Sequence, residues 1–201
     1  MILMSFIPVN AKKKVRDLIK KYELHIITVS ERKTKRGDFR VYSNGFKKIT
    51  LNQDSNKFRF LITLLHEIAH QLVFQTFGNK IKPHGIEWKK KFKEISKPFL
   101  IDSIFPLSIL DTYKIYLKNP KSSTDLDKEL SISLSKFDTF NNYFFIEELE
   151  MGQLFLHRKK DIFKKISKKR KRFVCEKISN GKLYLFQPNT LILDHKNEKR
   201  K

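Results

Sequence analysis

His66 and His70, four positions apart, lie inside the apolar run of residues 61–77, LITLLHEIAHQLVFQTF. No other feature limits the fold as much. Phe58, Leu61, Leu64, Leu65, Ile68, Leu72 and Phe77 recur at three- and four-residue spacings, so the run predicts a helix buried along much of its length. Gly78-Asn79 supplies a stop signal just past the last apolar residue. On that helix, residues four apart lie one turn apart on the same face. His66 and His70 can therefore reach one metal ion. Glu67 lies about 100° round the helix from His66, close enough to meet a metal-bound water without being a ligand. Polar groups in such a helix are costly unless paired, so a metal or a set of hydrogen bonds must account for all three. The spacing is the H-E-x-x-H pattern of zinc hydrolases, with the glutamate as general base. His84, in Pro83-His84-Gly85 at the start of a new amphipathic segment, is the best third ligand.

Around this helix the chain reads as α+β. Asn10 can cap a helix from 11 to about 22, with Val15, Leu18, Ile19 and Tyr22 on its apolar face. Residues 24–29 are β-branched and predict a strand. His25 within it is expected to be half-exposed and not a ligand. Gly37-Asp38 predicts a turn, 39–42 a second strand, Asn44-Gly45 a hairpin, and 47–51 a third strand. Residues 86–95 form a basic amphipathic helix, with Trp88, Phe92 and Ile95 on one side. Trp88 could stack on a nucleic-acid base or pack on the metal helix and fix His84. Residues 107–116 predict another helix.

From 119 the character changes. Between 121 and 150, seven acids face three bases, and 126–137 reads as a helix. From 152 onward QLFLH, DIFKKI, KRFVCEKI, KLYLF and TLIL predict a small antiparallel β unit, with a hairpin at Asn180-Gly181. Between 157 and 182, twelve Lys and Arg stand against two acids. Phe163, Phe173 and Tyr184 are interleaved with them, either as a stacking surface for single-stranded nucleic acid or as the core of the unit. The expected organisation is 1–118 as the metal-binding core, 119–150 as an acidic helical linker and 151–195 as a basic β subdomain.

Charge bears on partners. The net charge is +22, from 43 Lys and Arg against 21 Asp and Glu. Such an excess favours polyanions, nucleic acid above all. Candidate phosphate contacts are Arg32, Lys33, Lys35 and Arg36 in the loop 30–36, and Lys168, Lys169, Arg170, Lys171 and Arg172. With 18 Phe and 40% hydrophobic residues the chain can build a core. One cysteine, Cys175, excludes an intrachain disulfide and a multi-cysteine zinc site. The first ten residues, MILMSFIPVN, lack the pattern of a signal peptide, and no run approaches the roughly 18 apolar residues of a membrane span. The sequence thus predicts a protein of the cytoplasm, with nucleoid association possible and no membrane partner.

The stretches LLHEIAHQLVFQTFG and PHGIEWKKKF resemble the SprT-like zinc metallopeptidases, in which H-E-x-x-H is followed by a short loop, then His-Gly and an aromatic two residues later. KKITLN, residues 56–60 and NPKSSTD look like the bacterial branch, which is related to Spartan-type DNA–protein crosslink proteases. The resemblance implies a zincin-like minimal metalloprotease core. It consists of an N-terminal helix, a three-stranded sheet and the H-E-x-x-H helix. The implied centre is one zinc per chain on His66, His70 and His84, with Glu67 as catalytic base. It also implies that the strand 47–51 aligns the substrate backbone, and that the protein cuts proteins held on DNA, single-stranded or mixed. Several such proteins end in a four-cysteine zinc ribbon. Here only Cys175 occupies a ribbon-like position, so the tail is expected to be a degenerate ribbon without its metal. The competing expectation is a nucleic-acid-binding protein whose zinc is structural or inactive.

Overall fold

The computed structural model describes residues 2–32, 34–54, 56–138, 143–157 and 161–194. The chain divides into two compact units. The first comprises 1–123 and 133–138, the second 124–132 and 139–201. The segment 119–150, expected as one linker, is apportioned between them. Among the described residues no helix is long and apolar enough to cross a membrane.

The first unit is α+β. Helix α1 (Lys12–Lys21) is followed by β1 (Ile26–Val29), β2 (Gly37–Val41) and β3 (Lys47–Asn52). These make one sheet in the order β1-β3-β2, with β1 parallel and β2 antiparallel to β3. Then come α2 (Lys57–Phe77), α3 (Ile86–Ser96) and α4 (Leu107–Tyr116). Asn10 does not cap α1: its amide Nδ2 donates to Ser103 O at 2.6 Å, and α1 starts without a side-chain cap. A cap would use the side-chain oxygen as acceptor, and the long-range bond of Nδ2 fixes the side chain toward Ser103 instead.

Helix α2 is the body of this unit. Its start is fixed by Asn56, whose side chain accepts from Arg59 N at 3.1 Å. It ends at Gly78, which takes φ 60° and donates its N–H to Phe74 O at 2.8 Å. Of its 21 residues, twelve are buried, because α2 packs against β2, β3 and α3. Arg59 is 2% exposed and pairs with Asp138 at 2.8 Å, tying residues 133–138 to the start of the helix.

The sheet corrects two expectations. Gly37 and Asp38 belong to β2, not to a turn, in register with Leu51 and Thr50. Strand β3, which the resemblance assigns to aligning a substrate backbone and which would need an open edge for that, is central and paired on both sides, so its backbone groups are already used. The open edge that lies against α2 belongs to β2.

Helix α5 (Lys128–Ser135) contributes residues to both units. The second unit contains β4 (Tyr143–Phe145), β5 (Leu154–His157), β6 (Asp161–Lys169), β7 (Arg172–Lys177), β8 (Leu183–Phe186) and β9 (Leu191–Asp194). They form one antiparallel sheet in the order β4-β9-β5-β6-β7-β8. β4 carries no sequence signal long enough to be read alone. It exists because β9 returns to pair with it and with β5. The core of this unit is Ile146, Leu149, Phe155, Phe163, Phe173, Cys175, Phe186 and Ile192. Cys175 is a core residue, fully buried.

Candidate metal centre

His66 and His70 project from one face of α2. His84 comes from the turn before α3, where it takes the left-handed φ of 59°. Such a conformation is uncommon for a residue with a side chain and concentrates where local geometry serves a site. Gly85 follows as the N-cap of α3, with its N–H on Lys82 O at 3.0 Å. A Cβ at Gly85 would lie 3.0 Å from that same carbonyl.

The three Nε2 atoms form a nearly equilateral triangle. His66–His70 and His66–His84 are 3.1 Å, and His70–His84 is 3.0 Å. Tetrahedral ligation at about 2.0–2.1 Å per bond separates ligand nitrogens by roughly 3.3 Å, so the donor set fits a single ion. Three neutral imidazoles turned toward one point cannot all satisfy each other by hydrogen bonds, because each offers one proton or one lone pair there. A shared cation resolves the conflict. Burial holds His66 at a pKa of about 2 and His70 at about 3, with the neighbouring imidazoles adding to both shifts. Burial also lowers His84. The lone pairs are therefore free at neutral pH. These three residues could hold a metal ion. His25, exposed and edge-on to Phe46, is not part of the group.

Trp88 supports the cluster from beneath. Its ring centroid lies 4.5, 5.3 and 4.7 Å from those of His66, His70 and His84, and its Nε1–H points to His66 O at 3.4 Å. At 1% exposure it packs on the imidazoles and offers no face to a base.

Glu67 is 7% exposed and lies against the open edge of β2. Asn52 N donates to Arg36 O and Tyr42 N to Phe46 O, so the even-numbered residues of β2 exchange hydrogen bonds with β3. The amides of Gly37, Phe39 and Val41 then face away from β3, and the N–H of Phe39 donates to the Glu67 carboxylate. Burial pushes the Glu67 pKa up to about 8, helped by Asp38 and opposed by Arg32, Lys35 and the Phe39 N–H. Gly37 is the contact residue that the sequence reading missed. A Cβ there would stand 2.6 Å from Glu67 Oε1 and 2.9 Å from Thr63 Cγ2. A glycine inside a strand marks close backbone approach, and that signal was present in RGDFRV.

The cations of the loop 30–36 turn inward. Arg32 donates to Asn52 Oδ1 at 2.8 Å and to Thr50 Oγ1 at 3.0 Å. Lys35 pairs with Asp38 at 2.9 Å, and Arg36 lies 3.5 Å from Asp54. Lys33 lies outside the described residues. In the second unit, Lys168, Lys169, Arg170, Lys171 and Arg172 are all exposed, whereas Phe163 and Phe173 are 4% and 5% exposed. These two rings are core, and a stacking surface built on them is not available.

The SprT-like family model matches residues 10–109, which contain the whole cluster. The chain belongs to the SprT-like family. Protein SprT of Glaesserella parasuis serovar 5 (strain SH0165) is 45% identical over 47 residues, 23% of this chain. The match spans 29% of that protein, less than a third of its length. No solved structure matches this SprT-like chain.

Proposed function

We propose that this SprT-like protein is a zinc-dependent metalloendopeptidase with a zincin-like core, working in the cytoplasm on proteins bound or crosslinked to DNA. The observation that carries the reading is the convergence of three Nε2 atoms within 3.1 Å of one another, one residue away from a buried carboxyl. Structural zinc is held by four protein ligands, whereas catalytic zinc keeps an open position. Among the described residues the group offers three ligands, which favours catalysis over a structural or inactive site.

Zinc bound there would supply Lewis acidity toward a scissile carbonyl and would acidify water. His66, His70 and His84 would hold it as neutral donors, with Trp88 fixing their orientation. Glu67 would take the proton of the attacking water and return it to the leaving amine. The carboxylate needed for the first step is favoured by a cation beside it, which opposes the upward shift caused by burial. The outward amides of Gly37 and Val41 offer pairing to an extended substrate on the edge of β2. The charge of +22 would hold the enzyme on nucleic acid, including the nucleoid, near its protein substrates.

The reading is tested by metal analysis of the purified protein and by cleavage of casein and of DNA-bound proteins. One zinc per chain is expected, with hydrolysis that stops on chelation and in Glu67→Gln, while that variant keeps its metal. Hydrolysis unaffected by Glu67→Gln, or absent from the zinc-loaded wild type with DNA present, would overturn it.

A further inference from the structure

The cations of this chain are not equally free. Those of the loop 30–36 that the structure describes are engaged with Thr50, Asn52, Asp38 and Asp54. Lys165, in the middle of β6, is 2% exposed, donates to the carbonyls of Ile146 and Leu149, and covers the Phe173 ring at 3.9 Å. It is a structural lysine that joins β6 to residues 146–149. The far end of the β6–β7 pair is different. Lys169 faces Arg172, so the strands are joined by a two-residue turn, Arg170-Lys171. Lys168 to Arg172 are five consecutive exposed cations, and none has an acidic partner among the described residues. No acid occurs from 164 to 174. The two acids on these strands, Asp161 and Glu176, lie at the other end, where Asp161 pairs with Lys177.

Two further details mark this end as built for contact. Arg170 takes a φ of 55°, where glycine or asparagine is the easier choice. A cation stands there in spite of the backbone preference. The register shifts between Lys165 and Ser167, an irregularity that bends and twists a ribbon and re-aims its tip.

We propose that the tip of the β6–β7 ribbon docks into the major groove of duplex DNA and sets its five cations against the phosphates. The proposal rests on the nucleic-acid association in the reading above, not on peptide hydrolysis. The B-form major groove, about 12 Å wide, admits a two-stranded ribbon, whereas the deep, narrow groove of A-form RNA does not. Single strands are bound by stacking on exposed aromatics. From 164 to 172 the ribbon has no aromatic residue, Phe163 and Phe173 at its base are buried, and Tyr184, the one exposed ring of the three interleaved with the cations, stands on β8 opposite Cys175 and not at the tip.

The test uses the full chain carrying Glu67→Gln, so that binding is read apart from cleavage. Affinities for a short DNA duplex, its single strand and the matching RNA duplex are measured at several salt concentrations. One variant combines Lys168→Ser, Lys169→Ser, Lys171→Ser and Arg172→Ser. A control removes four exposed cations from α1 through Lys13→Ser, Arg16→Ser, Lys20→Ser and Lys21→Ser. Thermal melts check that both fold. The ribbon variant is expected to lose about 100-fold or more in duplex affinity, and about 3–4 in the slope of log affinity against log salt, because each lost phosphate contact removes roughly 0.9. The control should lose far less. Arg170→Gly should melt no lower than its parent yet lose about one unit of slope. Equal losses in ribbon variant and control would make the attraction a general charge effect and overturn the proposal. Tighter binding of the single strand or the RNA duplex would also overturn it, as would ribbon-dependent binding to anionic vesicles without duplex binding. Retained casein cleavage by a ribbon variant with Glu67 restored would leave the peptidase reading standing whichever way the binding falls.

Discussion

Gly37→Ala is the sharpest perturbation of the candidate centre, because it adds one carbon and changes no charge. The new Cβ would meet Glu67 Oε1 at 2.6 Å, Glu67 Cγ at 2.7 Å and Thr63 Cγ2 at 2.9 Å. All three separations are shorter than ordinary van der Waals contact, so something must move. Thr63 is held by its own hydroxyl, which donates to Arg59 O at 2.9 Å. Glu67 is 7% exposed and accepts from the Phe39 N–H. The strain therefore falls on the Glu67 rotamer and on the seating of β2 against α2. Overpacking of this kind costs about 1–3 kcal/mol, a fall of roughly 2–12 °C in melting temperature. A carboxyl displaced by about 1 Å should lower kcat/KM on the order of 100-fold. The ligands on α2 and at His84 are not touched, so metal content should stay at the wild-type value. The assay pairs hydrolysis of a quenched peptide with metal analysis and a thermal melt, in the wild-type and Glu67→Gln backgrounds. In Glu67→Gln the melting shift should persist and the activity should fall no further. An unchanged melt with unchanged hydrolysis would refute the packing of β2 on Glu67. Loss of metal in step with activity would refute the base-positioning argument.

In metal-free protein the pH dependence of stability follows from the same groups. His66 and His70 are lowered from 6.5 to about 2 and about 3, so the unfolded chain binds more protons between those values and 6.5, and stability rises with pH over that window. Glu67 is raised from 4.5 to about 8, so the folded chain binds more protons, and stability falls over that window. Two imidazoles outweigh one carboxyl up to pH 6.5. Melts in chelator should therefore climb to about pH 6.5 and then decline toward about pH 8, with the decline absent from Glu67→Gln. A decline of equal size in that variant would exclude Glu67 as its source. Asp138→Ala removes the carboxylate that meets Arg59 at 2.8 Å and Asn56 at 2.7 Å. A loss of about 3 kcal/mol in a denaturant titration is expected for a buried guanidinium left short of its partner, and a loss within experimental error would show that the contact is not formed in solution.

Local signals in this chain place most of its helices and strands and the His66–His70 pair. The apolar period of 57–77 and the stop at Gly78 define α2, and the four-residue spacing of His66 and His70 follows from the helix itself. The same is true of α4, and of the β7–β8 hairpin at Asn180-Gly181. Such features depend on neighbours within a few residues, where propensity and spacing act directly. What the sequence could not decide was which groups meet across long separations. Asn10 reads as a cap, yet Ser103 O takes its side chain. The strand 47–51 has a substrate-aligning role by resemblance alone, and β1 closes one side of it in parallel and β2 the other. The loop 30–36 reads as free charge until Thr50, Asn52, Asp38 and Asp54 fold against it. Phe163 and Phe173 read equally well as platform or core until the sheet closes over them. The spacing of the two histidines on α2 was local information. Their environment is decided by tertiary packing, because a side chain's free energy depends on whichever surface, charge or hydrogen-bonding group the rest of the chain brings to it.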